Sequence, residues 1–149
     1  MSYASIDDIK KIEKLSKWED RDVPKTLYGM LSRAAQNYPN HDAVSYQIFS
    51  GPKDKAETFS WKELFDKSTQ AANMFRSLGI NETDVVAYVL PNANETLFSL
   101  LGGAISGIVA PINPLLDKEQ IAAIFIETDA KVLEKLKAFP KTDLSQKNS

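Results

Sequence analysis

Between Thr96 and Leu116 the chain carries no charged residue over 21 positions, and an apolar run, Val85-Val86-Ala87-Tyr88-Val89-Leu90, lies just ahead of that interval. Two folds compete for this stretch. An uncharged segment of that length is long enough to cross a bilayer, and Gly103 and Gly107 have the small-residue spacing of paired membrane helices. Against this, Pro111, Asn113 and Pro114 interrupt the second half, and a membrane span would bury Asn113 without a partner. The alternative reads 84–113 as strand, helix, strand. The run at 85–90 suits a strand buried on both faces, and Pro91 stops it. Asn92 is placed to cap the next helix, with Glu95 at the reciprocal capping position. Leu97, Leu100, Leu101, Ala104 and Ile105 recur at helical spacing, Gly107 ends the helix, and 108–112 forms a second apolar strand. Such a βαβ unit makes the two strands parallel with a right-handed crossover. The breakers favour this soluble reading.

The flanking segments extend the same α/β pattern. Residues 1–23 form a charged N-terminal arm with Ser5 and Asp8 at capping spacing. Ile6, Ile9, Ile12, Leu15 and Trp18 recur every three residues, which winds around a helix instead of lining one face. A membrane-surface helix is disfavoured there because acids and bases balance before Thr26. A helix over 26–38 is capped by Thr26 and presents Leu27, Met30, Leu31, Ala34 and Ala35 inward. Val44, Tyr46 and Ile48 alternate as a half-exposed strand, and 57–59 returns as its antiparallel partner. Ser60 and Glu63 form a capping box for a second helix with the stripe Trp61, Leu64, Phe65, Ser68, Ala71 or Ala72, Phe75 and Leu78. Gly79 supplies the left-handed terminator. After Pro114, Leu116 and Ile121 staple a helix capped by Asp117 and Gln120, with Ile121, Ile124 and Phe125 inward. A charged third strand over 130–136 belongs near a sheet edge. Domain organisation is thus an arm at 1–23, an α/β subdomain at 24–139 and a polar tail at 140–149. The expected fold class is α/β: a small three-layer domain with a parallel βαβαβ core plus an antiparallel hairpin.

Composition excludes several functions. With 149 residues, 43% hydrophobic, 26% charged and a net charge of −2, the chain is ordinary globular material without the field that nucleic acid or an anionic membrane attracts. The absence of cysteine excludes disulfides and thiolate chemistry. Two early acids and no apolar core segment argue against a secretory signal, so the expected location is cytoplasmic. The single histidine, His41, falls in a turn with no serine or paired carboxylate spaced to recruit it. Spacings for metal binding are missing. Gly102, Gly103 and Gly107 fall within or at the end of a helix, so they read as close helix-to-sheet packing and not as a phosphate loop.

Three phrases in order carry a resemblance: FSWKEL at 59–64 followed by LGI at 78–80, DVVAYVLPN at 84–92, and GIVAPINP at 107–114. With the 26–39 helix, AKVL at 130–133 and KAFPKTD at 137–143, the chain resembles the N-terminal region of AMP-forming acyl-CoA synthetases of the adenylate-forming superfamily, fatty-acid–CoA ligases in particular. The resemblance covers about 24–144. It implies a two-step ligase in which a carboxylate attacks ATP to give an acyl-adenylate and coenzyme A then displaces AMP. ATP, magnesium and coenzyme A are implied for the full-length family, and none for this chain alone. The family's phosphate loop, magnesium acid and C-terminal lysine have no counterpart in this sequence. No catalytic or metal residue is therefore assigned.

Carried onto this sequence, the family's loop beside the acyl and coenzyme A channel is Asn113, Pro114, Leu115 and Leu116. The spacing of the same residues is already explained by a strand-end turn with a helix staple, and that reading is preferred. Lys135 and the charged third strand depart from the family pattern. The implied partner is the remainder of a synthetase. Unpaired sheet edges also predict self-association. The alternatives to a catalytically silent synthetase segment are a non-catalytic binding module for an acyl chain or coenzyme A, and a small membrane-associated protein.

Overall fold

A computed structural model describes residues 5–49 and 51–135. The end of the third strand at Leu136, the KAFPKTD phrase and the polar tail at 140–149 lie outside the described residues. The elements run α1 (Ile6–Glu13), a 3₁₀ turn (Trp18–Asp20), α2 (Leu27–Asn37), β1 (Asp42–Tyr46), β2 (Glu57–Ser60), α3 (Trp61–Ser77), β3 (Val85–Val89), α4 (Asn94–Ser106), β4 (Ile108–Pro111), α5 (Lys118–Glu127) and β5 (Ala130–Lys135).

The strands form two sheets. β1 and β2 pair antiparallel, as the alternating pattern requires, with Val44 opposite Phe59. β3 pairs in parallel with both β4 and β5, in the order β4-β3-β5. The most apolar strand therefore takes the centre and the charged β5 an edge. Val86 and Ala87 are fully buried and, being neighbours on a strand, point to opposite faces. Val86 packs with Phe75, Ile80, Ala71 and Val132 on one side. Ala87 and Val89 pack with Leu116, Ile121, Ile124 and Phe125 on the other. The result is three layers, with α3 and α4 on one face of the sheet and α5 on the other.

Local capping chemistry matches the sequence at four of five helix starts. Ser5 accepts from the Asp8 amide, Thr26 from Gly29, Ser60 from Glu63 and Asp117 from Gln120; the last two complete reciprocal boxes. Gly79 takes φ +87° after α3, the left-handed position that an L side chain resists. The fifth start differs. Ala93, not Asn92, is the N-cap of α4, and no side chain caps it. Asn92 instead presents its carbonyl to the Tyr46 hydroxyl.

The buried face of α4 also corrects the sequence reading. Its leucines are only half-buried and Ala104 is exposed; the residues turned inward are Asn94, Ser99, Gly102, Gly103 and Ser106. Backbone proximity is the cause. A Cβ on Gly102 would lie 2.5 Å from Ala71 Cβ and 2.8 Å from the Ala72 amide nitrogen, and one on Gly103 would lie 3.2 Å from Val109 Cγ2. Only small residues fit where α4 crosses α3, so they displace the leucines outward. The buried serines avoid a desolvation cost by bonding one turn back: Ser106 to the Gly102 carbonyl at 3.0 Å, and Ser68 of α3 to Leu64 at 2.7 Å. Met30, Leu78 and Ile48 were likewise expected inside and are exposed. Leu78 falls beyond the last turn of α3 and Ile48 beyond the end of β1. α1 buries none of its residues.

Gly102→Ala is expected to destabilise the fold by about 1–3 kcal/mol, because backbone must move to admit the methyl group. Gly79→Ala meets no atom within 4 Å and carries only left-handed strain, about 1–2 kcal/mol. Urea midpoints should rank Gly102→Ala below Gly79→Ala; the reverse order would contradict the close helix contact.

Candidate functional site

Parallel sheets place ligands at the carboxyl ends of their strands, and two features of this chain lie there. The first is the turn of Asn113, Pro114, Leu115 and Leu116 after β4. Asn113 Oδ1 accepts the Leu115 amide at 2.9 Å, closing a side-chain turn. Leu116 packs inward beside Ile121, so the expected staple forms. Leu115 is 90% exposed and points away from the core. The turn geometry accounts for Asn113 and Leu116, and Leu115 is the leucine of the four left exposed.

The second feature was not read from the sequence: a polar cluster where β3 ends and α4 begins. Asn94 is 2% exposed, and its Nδ2 donates to Glu57 Oε2 of β2 at 2.6 Å, while its Oδ1 is buried without a partner. The Tyr46 hydroxyl donates to the Asn92 carbonyl and the Thr96 hydroxyl to the Pro91 carbonyl. Phe59 meets Phe98 edge-on at 5.1 Å. The Glu57, Tyr46 and Phe59 contacts dock the β1–β2 hairpin onto the start of α4. One turn on, Ser99 donates to Glu134 Oε1 of β5 at 2.9 Å. Glu134 Oε2 is buried with no partner. Tyr88 lies opposite Glu134 in the strand register, and burial, aided by that carboxylate, pushes its phenol pKa up. Two clefts of about 400 and 370 Å³ border this cluster, and Asn94 lines both.

The opposite end of the sheet carries an electrostatic clamp. Lys131 Nζ lies 2.5 Å from Asp84 Oδ1, and the Asn81 amide donates to Asp84 Oδ2 at 2.8 Å. These two interactions hold the Asp84 carboxyl below its usual pKa. Its contribution to stability is present above the ordinary aspartate range and fades as the pH falls through the depressed value.

The Ser99–Glu134 contact has no histidine; His41 stacks on Tyr38, its carbonyl accepting the Trp61 amide at 3.0 Å. Among the described residues no group of three or more histidines, aspartates or glutamates could hold a metal ion. Gly102 and Gly103 are covered by α3 and Val109, so they cannot approach a phosphate. The glycines of α4 therefore serve as packing positions and not as a phosphate loop.

Comparison with known proteins gives this architecture a class. The chain belongs to the AMP-binding enzyme family, whose sequence pattern matches residues 31–147. It is 34% identical over 143 residues to marinolic acid–CoA ligase of Pseudoalteromonas sp. (strain SANK 73390), covering 96% of this chain and 22% of that protein. It is 30% identical over 123 residues to peroxisomal benzoate–CoA ligase of Arabidopsis thaliana, covering 82% of this chain and 20% of that one. The fold aligns with the N-terminal domain of FACL13 from Mycobacterium tuberculosis at TM-score 0.64 and 23% identity, over 75% of this chain and 27% of that structure. The resemblance to the N-terminal portion of acyl-CoA synthetases is thereby established. The chain spans about a fifth of the length of these curated relatives.

Ser99→Ala would leave Glu134 with both carboxylate oxygens unpaired beneath α4. That should lower unfolding free energy by about 1–3 kcal/mol. Adding Glu134→Leu should recover much of the loss, since an apolar side chain needs no donor. A denaturation double-mutant cycle showing additive losses would contradict the contact.

Proposed function

We propose that this chain forms a supporting wall of the N-terminal domain in an ATP-dependent fatty-acid–CoA ligase, and that residues 1–149 alone do not form an adenylate. The family match across 31–147 carries the reading, supported by relatives named as CoA ligases. In the whole protein, carboxylate, ATP and coenzyme A would meet on groups outside this segment. Within it, Leu115 supports a channel-wall role for the loop Asn113, Pro114, Leu115 and Leu116, because its exposure leaves an apolar side chain for a ligand or covering segment. A cytoplasmic location belongs to the same proposal, and recovery of the full-length protein in a membrane fraction would count against it. No described helix is long and apolar enough to cross a membrane.

ATP–pyrophosphate exchange with a fatty acid should be absent for the purified chain and present for a version extended to the length of its relatives. In the extended protein, Leu115→Asp should raise KM for coenzyme A or the acid several-fold. Exchange by residues 1–149 alone would overturn the wall reading. Saturable calorimetric binding of acyl-CoA by this chain would favour a free-standing binding module.

Self-association of the isolated chain is part of the proposal. Ile108 on β4 and Leu133 on β5 are exposed on the outer strands, and Leu115 and Ile126 project at 90% and 77% exposure. Light scattering should return a mass above the 16.6 kDa of one chain; a monodisperse monomer would remove the idea.

A further inference from the structure

We propose that the free edge of β5 is a strand-addition site for an extended acidic segment of another polypeptide. Among the described residues β5 pairs with β3 on one side and with no strand on the other, in the order β4-β3-β5. The opposite edge of the sheet belongs to β4, and the two edges differ in what their backbones offer. The Ile108 and Ile112 amides donate to the Asp84 and Tyr88 carbonyls of β3. Backbone groups of a strand alternate between its two sides, so Val109 and Pro111 turn theirs outward, and Pro111 has no N–H to offer. The β4 edge is therefore blunted.

β5 has no such stop. The Asp84 and Tyr88 carbonyls face β4, which leaves Ala87 to face β5, and Leu133 lies opposite Ala87 in the register. In a parallel ladder a residue bonds the neighbours of its partner. Val132 and Glu134 thus serve β3, while Leu133 and Lys135 direct their amides and carbonyls outward. Strand addition takes its affinity from such a row of groups and its specificity from the alternate side chains.

Those side chains define the occupant. Lys131, Leu133 and Lys135 share one face and are all exposed, whereas Val132 packs toward Phe75 and Glu134 bonds Ser99. Lys131 is held by Asp84, and among the described residues no ion pair engages Lys135. Side chains directly across a strand pair interact, so the matching segment has an apolar residue beside Leu133 and acids two places to either side. A second copy does not supply this. An antiparallel copy centred on Leu133 sets Lys131 against Lys135, and like charges directly opposite disfavour pairing. Nor does the sequence at 136–149 supply it, with three lysines, one aspartate and Pro140. Self-association of the isolated chain goes through its apolar faces and leaves this edge open.

The test is an NMR titration of the ¹⁵N-labelled chain, following the Leu133, Lys135 and Val109 amides. The probes are the capped peptide TETVTET, its lysine counterpart TKTVTKT, and an N-methylated form of the first that has no backbone donor. Saturable shifts at Leu133 and Lys135 with the acidic peptide, weaker binding of the lysine peptide and none of the N-methylated one support the site. Lys135→Glu should weaken the acidic peptide about threefold and strengthen the lysine peptide to the same degree, the effect of one exposed charge pair. Leu133→Pro removes an outward donor, as Pro111 does in β4, and should abolish binding in a chain whose amide spectrum shows the fold retained. No saturable shift, equal affinity for the acidic and lysine peptides, binding of the N-methylated peptide, or shifts centred on Val109 would overturn the proposal. Concentration-dependent shifts at Leu133 and Lys135 in the chain alone would also overturn it, by assigning the edge to a second copy.

Discussion

The contact between α3 and α4 determines where most other residues can go. With backbone this close at Gly102, Ala71 and Ala72, α4 is pinned in depth and rotation against the sheet. Glycine inside a helix costs about 1 kcal/mol relative to alanine, and α4 accepts that cost at two adjacent positions. The return is close packing over Phe75 and Val109, where dispersion contacts accumulate. The same geometry excludes β-branched and leucyl side chains from the crossing, so serines fill it and satisfy their hydroxyls on their own helix. Gly107 continues the pattern. A Cβ there would meet the Asp84 and Asn81 carbonyl oxygens at 2.5 and 2.7 Å, so the chain enters β4 tight against the start of β3.

This contact also explains which features were legible in the sequence. Strand β3, the boxes at Ser60 and Asp117, the Gly79 terminator and the parallel unit all follow from information within a few residues. α4 lies beyond that range. Its leucines have the periodicity of an inward stripe, yet the inward face is chosen by what α3 presents, namely Ala71 and Ala72. Hydropathy sums the apolar character of a face and carries no term for the distance between backbones. Glycines at 102 and 103 suggest close helix-to-sheet packing; Gly103 does meet Val109 of the sheet, whereas Gly102 meets Ala71 and Ala72 of α3. Missing was the further step that a helix pressed in by its glycines must turn its leucines away.

The polar cluster was hidden for a related reason. Glu57 and Asn94 are 37 residues apart, Tyr46 and Asn92 are 46 apart, and Ser99 and Glu134 are 35 apart. No local spacing joins them. Asn92 had the better capping position by pattern, and Asn94 read as a polar residue in a helical first turn. The structure exchanges their roles: Asn92 offers backbone, and Asn94 goes inside. The loop at 113–116 came instead from family resemblance, and its local turn chemistry is sound. Residue patterns alone mark it as a staple, so any function there depends on what is laid against Leu115.

Glu134 shows how polar burial can select one arrangement of an edge strand. Among the described residues β5 pairs only with β3, and the pairing contains an irregularity between Val85 and Val86. Edge strands with few side-chain constraints are prone to register error. In β5, Val132 and Glu134 face α3 and α4, while Lys131, Leu133 and Lys135 alternate away. A slip of one residue would reverse every position. It would remove the Glu134 carboxylate from Ser99 and Lys131 from Asp84, leaving lysines to face Phe75 and Val86. Both ends of the strand would lose their charged contacts together, so the two polar anchors specify the register that the apolar residues alone would leave weak.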